Sequence, residues 1–134
     1  MSKTLGGAIR NLVIGSELSV GRKVYLDFAP HGTTPPYLTY IDHINTDPAL
    51  RGDGKTIANN RSMQYNVWQH IDHEDPFLPT ELYTLLDGAL VRVEGFAAPI
   101  KISVQSMSRL PGEADEEIVH HELTLGMSHP TSVA

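Results

Sequence analysis

PPYLTYIDHIN (residues 35–45) and RSMQYNVWQHID (residues 61–72) decide the fold. In the first segment Tyr37, Thr39 and Ile41 fall on one face, and Leu38, Tyr40 and Ile44 on or near the other. In the second, Met63, Tyr65, Val67 and Ile71 share a face, opposite Gln64, Asn66, Trp68 and His70. Period-2 alternation rich in aromatic and β-branched residues is the signature of β-strands. Strands adjacent in sequence usually pair, so the two arms are expected to form an antiparallel hairpin. Both faces carry aromatics, because Tyr65 points away from Trp68 and Tyr40 away from Tyr37. A second covering layer, supplied by a neighbouring subunit, would account for that.

Between the arms lies NTDPALRGDGKTIANN (residues 45–60). It reads as a loop, and loops of that length in a compact domain are usually functional or disordered. Pro48, Gly52, Gly54 and mixed charges leave Leu50 and Ile57 as its apolar anchors, too few to offset its ordering entropy alone. The loop is therefore expected to order against a partner, with Arg51 and Lys55 as polar contacts and Leu50 and Ile57 as apolar ones. Gly52-Asp-Gly-Lys-Thr56 is not a phosphate-binding loop. It lacks the four-residue spacing between the first glycine and the Gly-Lys pair, and no clear helix follows.

Outward from the hairpin, Leu5, Ala8, Ile9, Leu12 and Val13 recur at helical spacing and predict a helix over 3–18. Gly6 and Gly7 weaken its start and Gly15 ends it. Val24, Leu26 and Phe28 form a short strand, and residues 29–36 a proline-rich loop. After His70 the apolar residues Leu78, Leu82, Leu85, Leu86, Ala89, Leu90 and Val93 share one broad face. They predict a second helix, with Pro79 in its first turn and Gly95 as its stop. Ile100, Ile102 and Val104 alternate with Lys101, Ser103 and Gln105 as a strand with one wet face. An acidic turn (residues 111–117) leads to a last strand over 118–125, and residues 126–134 read as a tail. The result is one α+β domain over residues 1–134: an antiparallel or mixed sheet of four to five strands, two helices on one face and a long hairpin loop.

A chain of 134 residues is one domain,. It buries roughly 68% of its unfolded surface, enough for a core without metal or disulfide support. The absence of cysteine agrees with a reducing compartment,. No apolar run approaches the roughly 20 residues that span a bilayer, and no signal-peptide core is present, so no membrane role is expected. A net charge of −6 argues against a free-standing nucleic-acid binder,.

Among seven histidines, His70 and His73 stand with Asp72, Glu74 and Asp75. In a strand, positions i and i+3 face opposite ways, and no third ligand is fixed by spacing. Neither a metal nor a cofactor is expected. His120 and His121 are adjacent and diverge, so that one is buried. His31 and His129 lie in proline-containing loops. Asp42 and Asn66 are placed to pair across strands. There is no nucleophile elbow and no zinc-binding helix motif, and nothing demands an active site.

The order of elements, and the words PYLTYIDHI and RSMQYNVWQHI, resemble the tail terminators and related tail-completion proteins of long-tailed bacteriophages and prophages. The likeness runs from about residue 5 to 125. It rests on a Pro-Tyr-apolar strand (Pro36, Tyr37, Leu38, Thr39, Tyr40), a glycine-containing polar loop, and Asn66-Val67-Trp68 before an amphipathic helix. Where this chain has Asn66 the family often has Asp. The resemblance implies a non-enzymatic virion protein, assembled in the host cytoplasm, that caps the tail tube as a ring, commonly of six subunits. Its partners would be further copies of itself, the tail-tube protein and the head–tail connector, with genome DNA passing through unbound. Leu50, Arg51, Lys55 and Ile57 are the candidate contacts with neighbour or tube. A connector or neck protein is the alternative within the class. A small bacterial ligand-binding or enzymatic domain using His70, His73 and the carboxylates of residues 72–75 is the alternative outside it.

Overall fold

The structure is a computed structural model. It describes residues 3–50, 56–96, 98–110 and 117–130, without the side chains of 43–50, 56–59, 129 and 130. The described elements are α1 (Leu5–Gly15), β1 (Val24–Leu26), β2 (Tyr37–Leu50), β3 (Thr56–His70), a 3-10 turn (Ile71–His73), α2 (Phe77–Leu86), β4 (Leu90–Val91), β5 (Ile100–Leu110) and β6 (Ile118–Pro130). The six strands form one mixed sheet in the order β1-β2-β3-β6-β5-β4. β1 runs parallel to β2 and every other pair is antiparallel.

Over residues 37–41 and 63–68 the faces of the hairpin are those its alternation predicts, whereas Ile71, expected on the core face, begins the 3-10 turn and is exposed. Leu38 lies opposite Val67 and Tyr40 opposite Tyr65, while Tyr37 meets Trp68 and Thr39 meets Asn66. Leu38, Tyr40, Met63, Tyr65 and Val67 join Ile102, Leu123 and Leu125 in one core with Ile9 and Val13 of α1 and Leu78, Leu82 and Leu86 of α2. Both helices thus cover the same face, and the opposite face carries no layer from the described chain. The Tyr65 ring stacks on Tyr40 at 5.3 Å between centroids. Its hydroxyl is buried without a hydrogen-bond partner, and burial pushes its pKa far above the usual tyrosine value. Tyr65→Phe removes that unmet polar group and keeps the ring. It should raise stability by about 1 kcal/mol in urea unfolding.

Three expectations are corrected. Residues 45–50 and 56–60, read as loop, are ladder, because Asn45 pairs with Ser62 and Leu50 with Thr56. β6 supports this extension by pairing Ala58 with Pro130 and Asn60 with Ser128. A third strand stabilises an outer hairpin whose side chains alone argue for disorder. For the same reason residues 126–130 continue β6 rather than begin a tail. Finally, the second helix stops at Leu86, not near Gly95. Gly88 adopts φ +81, a conformation that breaks the helix and that glycine tolerates,. Its N–H then donates to Ile102 O, and Ile102 N–H donates to Ala89 O. The edge of β5 captures the chain as β4, the sixth strand.

At the start of α1, Thr4 Oγ1 accepts from Gly7 N–H at 3.0 Å, a standard N-cap. Gly6 has a packing reason beyond helix propensity. A Cβ there would fall on the Asp42 carboxylate, so any other residue at this position has to displace the group that Arg61 holds. Asp42 accepts from Arg61 Nη2 at 3.0 Å through its carboxylate and at 2.8 Å through its backbone oxygen. The expected pairing of Asp42 with Asn66 does not form. They lie on opposite faces, and Asn66 Oδ1 accepts instead from Gln64 Nε2 at 2.9 Å.

Candidate assembly surface

The face away from the helices bears a row of rings that crosses four strands. Tyr25 of β1 meets Tyr37 of β2 edge-on at 6.5 Å. Tyr37 stacks on Trp68 of β3 at 6.2 Å, and Trp68 stacks on His120 of β6 at 4.3 Å. Trp68 Nε1–H donates to Thr39 Oγ1 at 2.9 Å. Strand alternation produces this row, since a residue pointing out on one strand is registered with one pointing out on the next. Trp68 is therefore a half-buried residue of the open face and not a core residue. Thr39 and Asn66 are buried beneath the larger side chains of this row. Next to it Gln64, Glu122, Thr124, Ser106 and Ser108 make the rest of the face polar.

Behind the base of the sheet, the segment between β3 and α2 is tied down by side chains that alternation alone does not reveal. Gln69 is 2% exposed. Its Oε1 accepts from Asp75 N–H at 2.7 Å and its Nε2 donates to Asp75 O at 3.1 Å. Glu74 takes a bidentate pair from Arg109 of β5, with distances of 3.0 and 2.8 Å. That hydrogen bonding holds the Glu74 carboxyl below its usual pKa. His121 of β6 lies 3.9 Å from Glu74. Its Nδ1 is buried without a partner, and burial pushes its pKa down against the pull of Glu74. His120 and His121 diverge as expected, one stacked on the open face and one buried.

The His121 shift has a pH consequence. A histidine held neutral in the native state binds its proton more weakly than in the unfolded chain. Stability is then fully present above the ordinary value of 6.5 and falls as the pH drops through it,. Glu74 adds a loss of the same sign further down, below its ordinary 4.5,. Urea midpoints should decrease between pH 7 and pH 5, and His121→Gln should flatten that decrease. Glu74, Arg109 and His120 are the charged and titratable groups that act on His121, so the variant isolates one titration among them.

Of the histidine and carboxylate group at 70–75, the structure brings together His70 and His73, with ring centroids 5.5 Å apart. His70 Nδ1 accepts from Asp72 N–H at 3.1 Å, and Nε2 lies 2.9 Å from Glu117 Oε2. The neighbouring cavity, lined by Thr34, Pro35, Pro36, Gln69, His70 and His73, holds about 160 Å³. Ligand pockets are typically about 300–1,000 Å³. Glu74 and Asp75 turn away to Arg109 and Gln69, and among the described residues no group of three or more His, Asp or Glu could hold a metal. Arg51 and Lys55 lie outside the described residues. Leu50 and Ile57 stand at the outer ends of β2 and β3, and their side chains also lie outside them.

No protein-family model matches this chain, and no curated protein matches it. Solved structures do. One is a chain from the virion of a native gene transfer agent particle, with a TM-score of 0.77 at 13% identity over 95% of both chains. The fold is shared with a virion protein. A second structure, whose description states no function, gives a TM-score of 0.52 at 15% identity, covering 92% of this chain and 94% of its own.

Proposed function

We propose that the chain is a structural virion protein of the tail-completion class, a tail terminator that caps the tail tube as a ring. One observation carries this reading: the end-to-end match of the fold to a chain of the gene transfer agent virion. The open face supports it, because rings on a sheet face without a layer of its own are what a subunit contact uses. In this reading the β2–β3 connection meets a neighbour or the tube through Leu50, Arg51, Lys55 and Ile57. The outer surface of the ring receives the head–tail connector, and DNA crosses a channel that does not bind it. A ring requires a heterologous interface that closes by rotation.

The mass in solution, with and without tail-tube protein, tests this. A closed ring, of six copies in the family's usual form, is expected at a multiple of 14.7 kDa. A chain that stays monomeric in both conditions would overturn the reading. Within it, Arg51→Glu with Lys55→Glu should leave the circular dichroism spectrum unchanged and reduce tube capping at least tenfold. Normal capping by that variant would remove the hairpin tip from the interface.

A further inference from the structure

The outermost strands of the sheet are short, and they leave most of the strands beside them bare. β1 covers β2 only at Leu38, Thr39 and Tyr40, and β4 covers β5 only at Ile100 and Lys101. Val104 N–H, just past β4, donates to Asp87 Oδ1 at 3.0 Å. Beyond these points no strand among the described residues pairs with the outer edge of β2 or of β5. On β5 the bare edge is residues 106–110. Ser106, Met107, Ser108 and Arg109 are all exposed there, although alternation turns them to both faces. On β2 it is the ladder of residues 45–50. A bare edge presents N–H and C=O groups that template another strand.

The backbone of β1, at the rim, is closed by contrast. Arg10 Nε donates to Val24 O at 3.0 Å, and Leu26 O accepts from Phe28 N–H at 2.8 Å. Edges that stay single are blunted in this way, or by prolines and charges. Residues 106–110 hold no proline, and their one charge, Arg109, is engaged by Glu74. Pro48 of β2 has no N–H to give, which suits a position pointing away from the β3 ladder and costs a joint one bond.

The two bare edges agree in length, sense and position. They are six and five residues long. Each step from β2 through β3 and β6 to β5 is antiparallel, so β5 runs opposite to β2. A second copy in the same orientation therefore sets its β2 antiparallel to this β5. Across the ladder Leu110 is level with His120, Trp68 and Tyr37, and Ser103 with Gly126, Ser62 and Asn45. The bare part of β5 thus lies level with the part of β2 near β1, and the bare part of β2 level with the end of β5 near β4. They occupy opposite corners of one sheet with β3 and β6 between them, and a copy cannot join its own. Slid along the strand direction, a second copy fits its step into this one, with β1 past one end of the joint and β4 past the other. A stagger of this kind tilts the strands when a sheet closes on itself.

We infer that residues 45–50 of β2 in one copy pair antiparallel with residues 106–110 of β5 in the next, so that the sheet continues from subunit to subunit. The contact is heterologous, as a ring requires, and it deepens the assembly reading on which it rests. Its affinity comes from main-chain hydrogen bonds.

The chain has no cysteine, so an introduced pair reports the joint. Asp47→Cys and Ser108→Cys in one full-length chain put a thiol on each edge. A bismaleimide of roughly 8 Å reach spans the directly opposite pair and its diagonal neighbours, so an offset of two residues does not defeat it. With unchanged circular dichroism, the double variant should give a ladder of covalent multimers on a denaturing gel, and each single variant nothing beyond a dimer. In the wild-type chain, amide exchange at residues 106–110 should slow at least tenfold on assembly. A double variant that assembles by sedimentation velocity but gives no ladder overturns the joint and leaves the ring intact. Amides of residues 106–110 that exchange at the monomer rate in the assembled protein also overturn it. If those amides slow only with tail-tube protein and no ladder forms, the occupant is the tube protein and the inference is wrong. A wild-type chain that never self-associates removes the ring reading and this joint together.

Discussion

Gln69→Leu is expected to lose about 2–3 kcal/mol of stability in urea unfolding, although leucine is apolar, of similar size and buried in the same place. Gln69 is nearly inaccessible, and its amide satisfies both the N–H and the C=O of Asp75. Leucine leaves Asp75 N–H without a partner and Asp75 O with only the longer bond from Leu78 N–H at 3.3 Å, and an unmet buried polar group costs about 1–3 kcal/mol. The loss should spread along the chain. Asp75 Oδ1 accepts from Phe77 N–H at the first turn of α2, and Glu74 beside it anchors Arg109 and faces His121. Hydrogen exchange should therefore accelerate over residues 70–78 more than in α1. Gln69→Glu is the informative companion. It keeps the acceptor for Asp75 N–H, loses the donor to Asp75 O and buries a charge, so it should be at least as unstable as the leucine variant at pH 7. A leucine variant as stable as wild type would show that the clasp does not hold the segment.

Gln69 also marks the limit of what was legible before the structure. Alternation in residues 37–41 and 63–68 named the two faces of the hairpin correctly, because a pleated strand allows no other assignment. By the same rule Gln69 belonged with Met63, Tyr65 and Val67 on the core side. A glutamine there has no visible purpose until its backbone partner, six residues on, is folded back beneath it. β4 was hidden for a related reason. Leu90 and Val93 continue the apolar spacing of α2, and only the free edge of β5 and the turn at Gly88 convert that stretch into a strand. The outer hairpin was missed because Pro48 and the glycines argue for a loop, while the support it receives from β6 is a long-range pairing. The aromatic row was legible only strand by strand, since alternation parted Tyr37 from Tyr40 and Trp68 from Tyr65, while the register of β2 on β3 is what sets Tyr37 against Trp68. His120 entered it only through the pairing of β6 with β3.

Trp68→Ala should separate folding from assembly. Were the indole a core residue, its loss would cost about 3–5 kcal/mol. It stands instead on the open face, half-buried between Tyr37 and His120. Aromatic contacts of this kind contribute about 0.5–1.5 kcal/mol each. Together with the hydrogen bond to Thr39, their loss should cost the isolated chain about 1–3 kcal/mol,. The effect on the ring should be larger in relative terms. A central aromatic anchor of an interface contributes about 2 kcal/mol or more, which weakens each subunit contact about 30-fold. Trp68→Phe keeps a ring for Tyr37 and His120 and should recover most of the folding loss but only part of the assembly. Since Trp68 is the sole tryptophan, its emission should shift to the blue as wild-type subunits associate. An alanine variant that assembles with wild-type affinity, or a wild-type emission that stays fixed on association, would show that this face remains in water and that the ring is built from another surface.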